Sequence, residues 1–327
     1  MNKKNIKYFI AAGIIAGAVG GVLAIVGNYY VNMAIHRGNK KYSNKKRQHE
    51  KNSGRDTSYF KDMSRVHLEM RNRALVWKDE TSCEHMHIHS HDGLKLYGEL
   101  YKNDTHKYVV ITHGYNVSMD HMYPYGPEFY DRGYNVLFTD MRAHGKSEGE
   151  YIGMGWLERL DLKQWCEKLV HIDPEAEILL FGQSMGAATV MMACGEDLPA
   201  NVKCAVEDSG YTSVSELYKL LLHESYHMPS FPILNAADMV ARQKAGYSFF
   251  DASAVDQLKK SHIPMLFIHA EADSFVPFFM VYMLYENANA PKELYTVPKG
   301  EHTCASYYDK EKYFDTLFKF ADKYMQE

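Results

Sequence analysis

The chain has 327 residues, of which 46% are hydrophobic and 24% charged, and it carries a net charge of −4. This ordinary balance excludes a fibrous or wholly disordered chain and gives no electrostatic reason to expect a nucleic-acid partner. Five scattered cysteines, without CxxC spacing, argue against both a disulfide framework and a cysteine zinc site.

In chain order, the first feature is an apolar run. No charged residue occurs from Tyr8 to Ile35, and its centre, from Phe9 to Val26, reads FIAAGIIAGAVGGVLAIV. About 20 apolar residues suffice for a helix to cross a bilayer. Lys3, Lys4 and Lys7 precede the run, and Tyr29 and Tyr30 sit where an interfacial aromatic belt would lie. No small-residue cleavage site follows, so residues 1–36 are expected to form an uncleaved, single-pass N-terminal membrane anchor. Basic residues flank both ends and do not single out the side on which the rest of the chain lies. Gly13, Gly17 and Gly21 recur at every fourth position, a spacing that would let two such helices approach and self-associate. Residues 37–54 are basic and aperiodic and read as a linker.

From residue 55 onward the pattern changes. Arg55 to Trp77 is amphipathic at helical spacing. Strand-like runs then follow at Glu84–Ser90, Lys95–Tyr101, Lys107–Thr112, Asn135–Asp140, Glu177–Phe181, Val202–Glu207, Met265–His269 and Glu293–Val297. Asp92-Gly93 between the first two marks a hairpin. The later runs (YVVIT, EILLF, MLFIHA) are continuously apolar, as in parallel strands buried on both faces. Helical stretches at Trp156–Val170, Ala187–Glu196, Phe278–Asn287 and Tyr307–Tyr324 separate them. This alternation predicts an α/β domain over residues 55–327. The interval between the sixth and seventh strands is too long for a simple crossover. It reads as a small helical cap, roughly residues 211–262, over the carboxyl ends of the strands.

Gly182-Gln183-Ser184-Met185-Gly186 follows a strand and opens a helix. This is G-x-S-x-G in the setting where a sharp strand-to-helix turn displays a serine hydroxyl, with glycines where larger side chains would collide. A serine hydroxyl needs a base, and the base needs an orienting acid. Asp273 follows the strand MLFIHA, and His302 follows the strand ELYTV, so both sit in loops at carboxyl ends of strands and can converge on Ser184. Asp208, which ends the strand before the cap, and Glu271 are the rival acids. The oxyanion that forms during acyl transfer requires donors, for which the backbone N–H groups of Met185 and Tyr115 are the candidates. His85, His87, His89 and His91 alternate on one strand face, but no carboxylate or cysteine spacing completes a metal site. No nucleotide-binding glycine fingerprint is present.

The motifs THGYN, DMRAHGKSEG, GQSMGA, HAEADSFVP and GEHTCAS resemble those of the α/β-hydrolase superfamily. They are similar in particular to the serine aminopeptidase (S33)-like group and to membrane-anchored bacterial relatives of BEM46-type hydrolases. The resemblance spans about Met86 to Met325. It implies an eight-stranded, mostly parallel sheet with the second strand antiparallel, the triad Ser184, Asp273 and His302, and no cofactor. It also implies that Asp140, Arg142 and Gly145 support the site rather than react.

The expected function is serine-hydrolase cleavage of an ester, thioester or lipid acyl bond through an acyl-enzyme on Ser184. Leu217, Leu220, Leu221, Leu222 and Phe231 of the cap either contact the acyl group or serve as packing. Peptidase or amidase activity is the alternative enzyme reading, and an idle membrane scaffold the non-enzymatic one. Because no catalytic motif precedes Tyr101, removal of residues 1–54 is expected to leave an active domain.

Overall fold

The computed structural model describes residues 20–37 and 57–325. Eight strands form one sheet: β1 (Cys83–His89), β2 (Lys95–Tyr101), β3 (Lys107–Thr112), β4 (Asn135–Thr139), β5 (Glu177–Gln183), β6 (Val202–Asp208), β7 (Met265–Ala270) and β8 (Lys292–Val297). Their spatial order is β1-β2-β4-β3-β5-β6-β7-β8. β2 runs antiparallel to β1 and β4, and the pairs from β4 to β8 are parallel. The sheet is therefore the one expected, with strand ends moved by at most two residues.

The continuous apolarity of the inner strands has a direct cause. Val110 and Leu180 pack into the core on one face of the sheet, while Val109, Ile111, Leu179 and Phe181 pack into the core on the other. Helices α2 (Thr57–Glu80) and α8 (Lys310–Ala321) cover the second face, contributing Met70, Trp77, Phe314 and Phe318. Helices α3 (Glu158–Ile172), α4 (Met185–Ala193) and α7 (Phe279–Asn287) cover the first.

The long β6–β7 interval holds two principal helices, α5 (Val214–Tyr226) and α6 (Ile233–Lys244). Ser213 starts α5 by accepting a hydrogen bond from the Glu216 N–H, and His227, at φ 52°, ends it.

The N-terminal segment corrects the expectation drawn from hydropathy. Residues 20–34 form a helix, α1, but among the described residues no helix is long and apolar enough to cross a membrane. Residues 1–19, including Gly13 and Gly17, lie outside the described residues, and Gly21 is exposed with open space around it. The inward stripe of α1 is Gly27, Val31 and Ile35, at helical spacing. Val31 and Ile35 are wholly buried in the core of the α/β domain, and a side chain at Gly27 would collide with the Ala236 carbonyl of α6. This stripe of α1 thus faces protein instead of lipid. The expectation of a single-pass membrane anchor, of a membrane localisation and of a membrane partner through this helix is overturned.

Ile35 and Arg37, just beyond α1, are also bound to the domain. The Arg37 N–H donates to the Glu150 carbonyl, and its guanidinium donates to the carbonyls of Ser147 (2.6 Å) and Gly145 (2.8 Å). The Ile152 N–H donates to the Ile35 carbonyl (2.7 Å).

The guanidinium contacts fall on the DMRAHGKSEG loop, which is itself held from within. The Asp140 carboxylate accepts from the N–H groups of Met119 (2.9 Å) and Lys146 (2.7 Å). Gly145 adopts φ +48°, and a side chain there would strike that carboxylate. Arg142, 2% exposed, donates to both oxygens of Asp161 (2.7 and 2.6 Å) and to Asp92 (2.9 Å). Arg142→Met should therefore leave Asp161 buried without its cation. We expect a loss of about 3–5 kcal/mol of stability, read by urea unfolding.

Candidate active site

β5 ends in Gln183, and α4 begins at Met185, so the whole reversal falls on Ser184, at φ 58° and ψ −116°. Backbone strain of this kind needs surroundings that leave no alternative. Here a side chain at Gly182 would collide with the Gly186 carbonyl, and one at Gly186 with the Thr112 carbonyl. Close packing of β3, β5 and α4 thereby pins the turn. The Ser184 N–H donates to the Asp208 carbonyl on the neighbouring strand (2.8 Å).

Three residues far apart in sequence meet at this turn. The Ser184 hydroxyl lies 2.8 Å from His302 Nε2, and His302 Nδ1 lies 2.6 Å from Asp273 Oδ2. A carboxylate can only accept, so Nδ1 carries the proton and Nε2 is left to accept from the serine. The other Asp273 oxygen accepts from the N–H groups of Phe275 (2.8 Å) and Val276 (2.9 Å). Burial by itself would raise the Asp273 pKa, but the charge and hydrogen bonds of His302 and His269 outweigh it. They hold the carboxyl well below its ordinary value.

The rival acids are engaged elsewhere. Asp208 accepts from Ser209 (2.8 Å), Gln183 (3.2 Å) and Tyr313 (2.9 Å). Glu271 is exposed and accepts from Thr296 (3.0 Å).

Met185 occupies the first position of α4, where a backbone N–H has no intrahelical acceptor. The THGYN loop approaches the same turn, and a side chain at Gly114 would stand 3.5 Å from the Ser184 Cβ. Two buried histidines hold this loop, and nothing in their sequence setting singles them out. His113 Nδ1 donates to the Gly114 carbonyl (2.7 Å), and its Nε2 accepts from the Met141 N–H (3.1 Å). His144 Nδ1 donates to the Arg142 carbonyl (2.9 Å), and its Nε2 accepts from the Asn116 N–H (3.2 Å). Each ring thus uses one nitrogen as donor and the other as acceptor, which requires it neutral. Burial pushes the His113 pKa down to about 4 and the His144 pKa to about 3, in keeping with those partners.

A cavity of about 70 Å³ opens beside Ser184 and Met185. No charged side chain lines it. Of the cap residues singled out from sequence, Leu217, Leu221 and Leu222 line it. Leu220 packs against the core instead, and Phe231 is 73% exposed. Tyr30, Met33 and Ala34 of α1 also line the cavity, a role that reading the segment as an anchor misses. A signal is present in the chain. Asn28 and Asn32 interrupt the second half of the apolar run, as they would on a helix with one protein-facing stripe.

His85, His87, His89 and His91 lie exposed on and just beyond β1. Among the described residues no group of three or more His, Cys, Asp or Glu is placed to hold a metal ion.

The family model of serine aminopeptidase, S33, matches residues 103–222. The uncharacterized protein YqkD of Bacillus subtilis (strain 168) is 29% identical over 221 residues, 67% of this chain and 72% of that one. The lysophosphatidylserine lipase ABHD12 of Danio rerio is 28% identical over 177 residues, 50% of this chain and 41% of that one. Among solved structures, the Pyrococcus furiosus esterase Pf2001 matches with a TM-score of 0.63 at 26% identity, over 76% of this chain and 95% of that chain.

Proposed function

We propose that this chain, a serine hydrolase of the α/β-hydrolase superfamily acting through an acyl-enzyme, uses Ser184 as its nucleophile on short-to-medium acyl esters, thioesters or lipids. The observation that carries the reading is the unbroken chain from the Ser184 hydroxyl through His302 to Asp273, at 2.8 and 2.6 Å.

In the first half-reaction the Ser184 oxygen attacks the acyl carbon while His302 Nε2 takes its proton. The tetrahedral oxyanion is met by the N–H groups of Met185 and Tyr115. As the intermediate collapses, the C–O or C–S bond to the leaving group breaks, and His302 returns the proton to the departing oxygen or sulfur. Water then repeats the sequence on the acyl-enzyme, releasing the carboxylic acid. Asp273 keeps Nδ1 protonated and balances the imidazolium that forms twice per turnover.

The cavity lining favours an acyl chain over an amino-terminal residue. Among its lining residues there is no carboxylate to receive an α-ammonium group, and burying an unpaired ammonium costs several kcal/mol. The esterase and lipase among the similar proteins point the same way.

The test is a panel of p-nitrophenyl esters from acetyl to dodecanoyl, run beside aminoacyl p-nitroanilides and corrected for spontaneous hydrolysis. We expect kcat/KM to peak among the short-to-medium esters, about 10²-fold or more above the amides. Amides turned over better than every ester would instead establish a peptidase.

A further inference from the structure

We propose that Tyr30, Met33 and Ala34 of α1 are specificity-determining residues that form one wall of the acyl cavity and set the length of chain Ser184 accepts. The inference rests on the reading of Ser184 as nucleophile and of the adjoining cavity as the acyl site.

Three observations carry it. The side chains of Tyr30, Met33 and Ala34 line the same cavity as Ser184, opposite no charged group and among the leucines of α5. They are also tied to their neighbours. The Tyr226 hydroxyl of α5 donates to the Met33 sulfur (3.5 Å), and the Tyr30 ring meets the Tyr226 ring edge-on at 6.4 Å.

The third observation links the wall to the chemistry. The Tyr115 hydroxyl donates to the Ala34 carbonyl at 2.6 Å. That carbonyl belongs to the last turn of α1, where backbone acceptors lack an intrahelical donor and must find one elsewhere. Tyr115 is also the residue whose N–H we place in the oxyanion hole. One hydrogen bond therefore fixes the wall relative to the reacting carbonyl. The pairing of Ile35 with Ile152, and of Arg37 with the carbonyls of Gly145 and Ser147, holds the far side of the segment. A wall held at so many points can discriminate by length, because a chain one methylene too long cannot push it aside cheaply.

The experiment uses the full chain and reads labelling rates with ethyl and octyl fluorophosphonates, supported by the ester series. Ala34→Leu places three further carbons in the cavity. Each methylene denied burial is worth about fourfold. The octyl-to-ethyl rate ratio should therefore fall by about tenfold or more. Met33→Ala should move the ratio the other way, extending the preference by one or two carbons. Ile25→Ser, on the outward face of α1 at 72% exposure, should leave the ratio at its wild-type value. Thermal melting establishes that each variant is folded. A ratio within twofold of wild type in both Ala34→Leu and Met33→Ala, with the proteins folded and labelled, would overturn the proposal. So would an equal shift in Ile25→Ser. A wild-type chain that no fluorophosphonate labels would instead sink the nucleophile reading itself, so the two failures are distinguishable.

Discussion

Ser184→Ala is expected to lower kcat on the best ester by about 10⁶-fold, the scale of loss when the serine of a serine protease is removed. Alanine cannot attack the acyl carbon, and it offers His302 no proton to accept. The fold should survive. Alanine keeps the Cβ that the turn already accommodates at φ 58°, so no new strain is introduced. The substitution removes the 2.8 Å hydrogen bond to His302, worth about 1 kcal/mol. Stopped-assay turnover, fluorophosphonate labelling and thermal melting together give the result. Residual activity within tenfold of wild type, in protein free of wild-type contamination, would remove Ser184 from the mechanism.

For the acid, Asp273→Asn is expected to reduce turnover by about 10⁴-fold. The asparagine amide can turn its NH₂ toward His302 Nδ1, which favours the tautomer with its proton on Nε2, the one that cannot accept from Ser184. It also withdraws the charge that stabilises the imidazolium. Asp208→Asn should act differently. That carboxylate accepts from Ser209, Gln183 and Tyr313 inside the core, and an amide has only one oxygen to offer them. The expected result is a loss of about 1–3 kcal/mol of stability, with turnover per folded molecule nearly unchanged. The comparison is made at equal folded fraction, from melting curves. If Asp208→Asn is the inactive variant and Asp273→Asn keeps most of its rate, the acid belongs to β6 rather than to the loop after β7.

Much of this architecture is legible in the amino-acid sequence by itself, because the deciding forces act over a few residues. Strand β3 can be read to the residue from a short apolar run, since its interior side chains are buried on both faces of the sheet. The turn at Ser184 is legible for the same reason. The clash that demands glycine at 182 lies within the turn itself, between neighbours in sequence. The placing of Asp273 and His302 follows from strand ends, which are local features too.

What stays hidden in the sequence depends on partners distant along the chain. Hydropathy measures only how strongly a segment avoids water, not whether lipid or protein replaces the water. The run from Tyr8 to Ile35 satisfies both readings, and only the packing of α6 and the β4–α3 loop against its second half decides between them. The tie between Tyr115 and Ala34 spans 81 positions, and the links from His144 to Asn116 and from His113 to Met141 each span 28. No periodicity encodes such pairs, because each is fixed by where the sheet delivers two loops. Local sterics and burial thus write the sheet and the serine turn into the sequence, whereas the wall of the cavity and the support of the THGYN loop come into being only when the chain closes on itself.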